Sequence, residues 1–228
     1  MSISQSDSHQ PALPRGAGGG AAIILSSVIA IAAISHHPSA GRTHDGAVLL
    51  ARIVAARDGL HAVHAVAILA AGGLLFGFLV FSLRRGIRDD AVLAGLVSYA
   101  IGTGAIIGAA LIDGFLVPGL GARYATGSPA QIAVAVQLLW ACGSAIQVLT
   151  KLWLFASSLA VIAWSIGMLR GTALVRGLGI FGLAASVLVI GLGGFGGSIS
   201  PHTFVAGIIL GQTLWSVVVG TLMVRGEL

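Results

Sequence analysis

Charge is what this chain lacks most. Only 8% of its 228 residues are Asp, Glu, Lys or Arg, against about 25% in an ordinary soluble domain. Twelve Lys and Arg with seven Asp and Glu are too few to solvate a globule of this length. The same shortage excludes disorder, which needs high charge and low hydrophobicity. Cysteine is nearly missing as well. Cys142 stands alone, so no intrachain disulfide and no CxxC site exists. Aromatic residues reach 6%, too few for the paired girdles of an outer-membrane barrel. The basic residues form no stripe, which excludes a nucleic-acid partner. There is no HExxH, HxxxH, GxSxG, SxxK or DxDxG-type calcium loop, so none of those chemistries can be read from spacing.

What the chain does have is apolar bulk and glycine. Hydrophobic residues make up 57%, the mean hydropathy is +1.01, and there are 34 glycines. Lipid is then the main solvent, and small residues let transmembrane helices approach closely. The expected fold is all-α, a polytopic membrane helix bundle. A polar tail over residues 1–17 precedes a single transmembrane helical domain over 18–228. Apolar stretches fall at about 18–35, 61–83, 91–117, 130–169, 177–197 and 203–224, giving about six spans of the length a bilayer requires. Ala30-Ile31-Ala32 imitates a signal-peptidase site. With Arg15 the only strong base before it, a retained first helix is the preferred reading.

Two segments fall outside a plain six-span map. The fourth stretch as one helix would run about 60 Å, twice the hydrocarbon thickness. A span ending near Arg170 leaves residues 130–150 as a protruding or re-entrant helical segment, with Gly143-Ser144 the expected break. Residues 46–60 read as a short interfacial helix, with Val48, Leu49, Ile53, Val54 and Leu60 in an apolar stripe. The alternative reading makes it the lead-in to the second span. Seven basic residues, including Arg84, Arg85, Arg88, Arg170 and Arg176, fall on one side and five on the other. That bias puts both termini in the cytoplasm, against the pull of three arginines in the first loop.

Histidine placement is the most informative polar feature. His36, His37, His44, His61, His64 and His202 all fall at the outer face of this map, and Asp113 sits near the same end of the third span. Asp58, His61 and His64 follow an i, i+3, i+6 spacing that makes adjacent members helical neighbours. Imidazole suits Zn, Cu and Fe, and a carboxylate can ligate or orient the ring. The candidate metal residues are therefore His36, His37, His44, Asp58, His61, His64, Asp113 and His202. A haem would need opposed axial ligands, for which His61 or His64 with His202 are the candidates. The competing reading makes the histidines simple headgroup-level residues.

Lys151 and Asp113 form a second candidate pair, read as a structural salt bridge or a snorkelling Lys ahead of a proton relay. Gln131, Gln137, Gln147 and Ser144 put polar groups along the extra helix. Cys142 reads as a packing residue. The run Gly191–Gly197 lacks the strand before it and the Lys-Ser/Thr after it that a phosphate loop needs.

The stretch Ala163-Trp164-Ser165-Ile166-Gly167-Met168-Leu169-Arg170-Gly171, with Leu174-Val175-Arg176-Gly177-Leu178-Gly179-Ile180, resembles a span–basic turn–span pattern. That pattern belongs to uncharacterised bacterial six-span membrane proteins. The resemblance implies a multi-pass protein of a bacterial inner membrane and no particular reaction. Three functional classes follow. The first is a metal- or haem-binding protein, redox-related, using the outer cluster. The second is a scaffold or accessory subunit packing against other membrane subunits or a second copy. The third is a small transporter, ranked last because no internal repeat and no midplane polar site is evident.

Overall fold

The computed structural model describes residues 16–38, 41, 43–194 and 212–228. Residues 1–15, 39–40, 42 and 195–211, His202 among them, lie outside the described residues. Those described are helical, with no strand among them. The helices are α1 (Ala17–Ser35), α2 (Gly46–Ala55), α3 (Arg57–Arg85), α4 (Asp90–Leu111), α5 (Val117–Tyr124), α6 (Pro129–Met168), α7 (Ala173–Gly194) and α8 (Leu214–Arg225). A π-turn, Ile112–Leu116, joins α4 to α5 without interrupting the rod. Among the described residues, five helical segments are long and apolar enough to cross a bilayer: Ala17–Ser35, Arg57–Arg85, Asp90–Tyr124, Pro129–Met168 and Ala173–Gly191. Of the sixth stretch, 203–224, the described part includes α8, 12 residues long.

Local chemistry sets where several of these helices begin. The Asp45 carboxylate accepts from the amides of Ala47 and Val48, and Asp89 does the same for Ala91 and Val92. Each satisfies amides that have no partner within the helix. At α6 a capping box pairs Ser128 with Gln131, and Pro129 enters at the first turn. Gln131 is thus a capping residue.

Packing runs α8 on α1, α1 on α3, α3 on α4, α4 on α6 and α6 on α7. Its core is an aromatic stack. Trp164 and Trp215 lie parallel with centroids 6.1 Å apart, Phe78 stacks on Trp164 at 4.9 Å, and Phe81 and Tyr99 close the edges. The Trp164 indole N–H donates to the Val92 carbonyl over 3.3 Å. A Cβ at Gly95 would collide with that indole, so a side chain there would push α4 away from α6. Gly20 and Gly220 similarly admit each other's backbones between α1 and α8.

One end of the bundle gathers arginines. Arg84 lies over Gly16, and Arg85 donates to the Gly167 carbonyl over 2.9 Å. About a quarter of the way along α6 from that end, the Gln212 amide donates to Ser157 Oγ over 2.6 Å. The expectation that polar groups keep to one interface fails here, because a half-buried amide can be satisfied by hydroxyls that themselves bond back to their own helix. Ser157 does so, donating to the Trp153 carbonyl.

Two further expectations change. The 46–60 segment divides at Ala56: α2 ends at Ala55 and Arg57–Leu60 belong to α3. The side of α2 carrying Leu50 and Ile53 is buried, and Ile53 fits against Gly121 of α5. Protein covers that side, where an interfacial helix would present it to acyl chains. Helix α6 runs unbroken for 40 residues, so Gly143-Ser144 is no break. Ser144 folds its hydroxyl back to the Trp140 carbonyl, leaving the helix intact. Its first half packs with α2 and α5.

Candidate metal centre

Three helices bring one side chain each to the end of the bundle away from Arg84 and Arg85. His37 follows the C-terminus of α1, His64 lies in the second turn of α3, and Asp113 sits in the π-turn after α4. Both imidazoles aim Nε2 at the same carboxylate oxygen, Asp113 Oδ2, each at 3.2 Å. The two rings meet edge to face with centroids 5.0 Å apart. The three candidate ligand atoms lie within 4.8 Å of one another. A tetrahedral ion with bonds of about 2.0–2.1 Å spaces its ligands by about 3.3 Å. Two of the three edges already have that length.

Proline sets the turn that carries Asp113. Pro118 has no N–H, and its ring crowds the carbonyl four residues back. Just upstream the ladder widens, with the Val117 amide bonding to the Ile112 carbonyl five residues earlier. A π-turn changes the direction of the side chains it contains, and such turns occur often at functional sites. Gly114 is the second local requirement. A Cβ there would sit inside the His64 side chain, so only glycine lets the imidazole lie against the α4–α5 rod.

Hydrogen bonding fixes the state of His64. Its Nδ1 lies 2.8 Å from the Leu60 carbonyl, an acceptor, which assigns the ring proton to Nδ1. In the neutral ring Nε2 then carries a lone pair, and it faces another acceptor, Oδ2. Two acceptors at 3.2 Å need a cation between them, either a proton on Nε2 or a metal ion. Metal-ligating histidines usually show this arrangement, with the second nitrogen donating to a backbone carbonyl. His64 is buried, while His37 is 40% and Asp113 32% exposed, so the group opens on the His37 side.

The remaining candidates are placed elsewhere. His36 turns its Nδ1 back to the Ala32 carbonyl, 2.8 Å away. His44 is exposed beside the Asp45 cap, and Asp58 is exposed in the first turn of α3. His61 stacks on Phe115 at 5.2 Å. The i, i+3 spacing therefore divides, with His64 in the cluster and His61 beside it. Asp113 pairs with the two histidines, while Lys151 lines a small crevice with Leu154, Phe155, Val189 and Ile190. Among the described residues, His37, His64 and Asp113 are the group of three able to hold a metal. A haem does not fit between His37 and His64, because edge-to-face rings 5.0 Å apart leave no space for a macrocycle. Sequence reading missed Gly114 and the π-turn; the visible trace was Pro118 five residues after an acid.

No family model, curated protein or solved structure matches this chain.

Proposed function

We propose that this is a metal-binding integral membrane protein whose centre is His37, His64 and Asp113. The observation that carries the reading is the convergence of both Nε2 atoms on one carboxylate oxygen, with His64 Nδ1–H already committed to Leu60. Two nitrogens and one oxygen suit a divalent first-row ion such as Zn²⁺, Cu²⁺ or Fe²⁺. Three protein ligands leave a position for water or a small exogenous ligand, the pattern of reactive rather than closed structural sites. Partial exposure on the His37 side supports an entry path.

The proposed setting is a six-pass bundle in a bacterial inner membrane. The arginine end, with Arg84, Arg85 and Arg170, faces the cytoplasm, and the metal centre lies at the outer face. The second occupant that the geometry accommodates is a proton. It would make the trio an imidazolium–carboxylate clamp joining α1, α3 and α4, the role of a structural subunit.

Elemental analysis of the detergent-purified protein separates the two readings. The metal reading expects about one divalent ion per chain after reconstitution and extensive washing. Asp113→Asn and His64→Gln should each lower affinity at least tenfold while the helical circular-dichroism signal persists. Metal below a tenth of an equivalent in the parent, or retention unchanged in both variants, would sink it and leave the proton clamp.

A further inference from the structure

Helix α3 meets the π-turn at two points one helical turn apart. His64 reaches Asp113 Oδ2 and lies against Gly114. Three residues earlier, His61 lays its ring on Phe115, with centroids 5.2 Å apart and planes only 12° from parallel. Helix α3 runs toward the arginine end and α4 away from it. Stepping back from His64 to His61 and on from Asp113 to Phe115 therefore leads the same way, toward the α2–α5 cap. The stacked pair lies beyond the trio on that side, and His61 is outside the three ligand residues.

The direction of Asp113 needs a holder. Each residue of an α-helix is turned about 100° from the one before. A shift of one residue in where the ladder widens would aim the carboxylate away from both imidazoles. Pro118 disturbs the ladder and Gly114 withholds a Cβ, but neither draws the turn to one rotation. The trio cannot hold itself when empty, because His64 Nε2 and Asp113 Oδ2 are then two acceptors facing each other. Stacked rings do attract, at centroid separations of about 4.5–7 Å. Phe115 sits two residues after Asp113 within the same turn, and it lies face-on to His61 while the turn keeps this rotation.

We propose that His61 is a positioning residue, holding Phe115 and through it the π-turn in the rotation that sets Asp113 Oδ2 against His37 and His64. The ring serves as a flat surface and not as a ligand. The role goes beyond the metal reading, since it concerns the geometry of the trio whether a metal ion or a proton occupies it.

Nuclear magnetic resonance of the full chain in detergent, metal-free and labelled with ¹⁵N-histidine, tests the clamp. The readout is the pair of His64 ring nitrogens, assigned by their loss in His64→Gln. His61→Phe keeps a stacking ring and should leave these signals at their parent positions. His61→Ala and Phe115→Leu should each displace them, and the two together no further than either alone. His61 is half-buried and Phe115 40% exposed, so the helical circular-dichroism signal should persist throughout. Displacement by His61→Phe equal to that by His61→Ala would overturn the proposal, because the imidazole itself would then be required. Signals unmoved in both His61→Ala and Phe115→Leu would overturn it too. Titration of the same samples with Zn²⁺ should place His61→Phe within twofold of the parent affinity and His61→Ala at least tenfold below it. A parent that takes up no Zn²⁺ would sink the metal reading alone, with the clamp still decided by the metal-free signals.

Discussion

At the scale of single residues, the centre depends on a side chain that is not there. Gly114 makes no bond to the cluster, but its missing Cβ is the space the His64 ring occupies. Gly114→Ala should swing His64 away from Asp113 and lower metal affinity at least tenfold. The overpacking should cost about 1–3 kcal/mol of stability. Metal titration and detergent melting of one sample would measure both. An affinity within a factor of two of the parent would show that the ring has another rotamer compatible with binding. Histidine identity alone says little about such a position. His36 and His37 are adjacent, and His61 and His64 sit one turn apart, yet one member of each pair enters the group. The difference is the direction of the chain where α1 ends for the first pair and a rotation about the axis of α3 for the second, both set by packing that spacing does not encode.

At the scale of elements, the long apolar stretches were legible because a bilayer tolerates few alternatives to a helix of about 20 residues. Asp45, Asp89 and Ser128 cap their helices with residue types favoured there, but the sequence reading does not single them out as caps, and it takes Gln131 for a polar group along the extra helix. The π-turn was not legible. Pro118 announces a disturbed ladder without saying whether the helix kinks, stops or widens. Its role is testable by Pro118→Ala, which restores an amide and removes the clash. The turn at Ile112–Leu116 should then relax toward α geometry and rotate Asp113 off the two imidazoles. We expect metal affinity to fall at least tenfold with thermal stability equal or higher, measured by titration and melting. Unchanged affinity would place the cause of the turn in tertiary packing. The 40 residues of α6 show the opposite failure of reading. Gly143 and Ser144 permit a break, but nothing in the packing requires one.

At the scale of the whole molecule, the bundle has two unlike ends. One presents Arg84 against Gly16 and Arg85 against Gly167; the other presents the histidines and the α2–α5 cap. An orientation that puts the arginines inside predicts the reach of a membrane-impermeant maleimide on intact cells. With Cys142 replaced by Ser, His44→Cys should be labelled from outside, and Ile87→Cys only after permeabilisation. The reverse pattern would invert the molecule and make the candidate centre cytoplasmic. The low charge made this class of protein plain from composition alone. The end that gathers the histidines was legible in the order of the spans, but which two of them meet Asp113 came only from seeing α1, α3 and α4 converge.

That convergence has a thermodynamic consequence. A cation held by His37, His64 and Asp113 would act as a rivet through three helices whose residues are far apart in the chain. Because the unfolded chain scatters those ligands, the ion would bind the folded state preferentially. At a hundredfold excess over its dissociation constant it would add about 2.7 kcal/mol to the stability of the fold. The lifetime of the protein in the membrane would then follow the supply of the ion, making abundance itself a gauge of metal status.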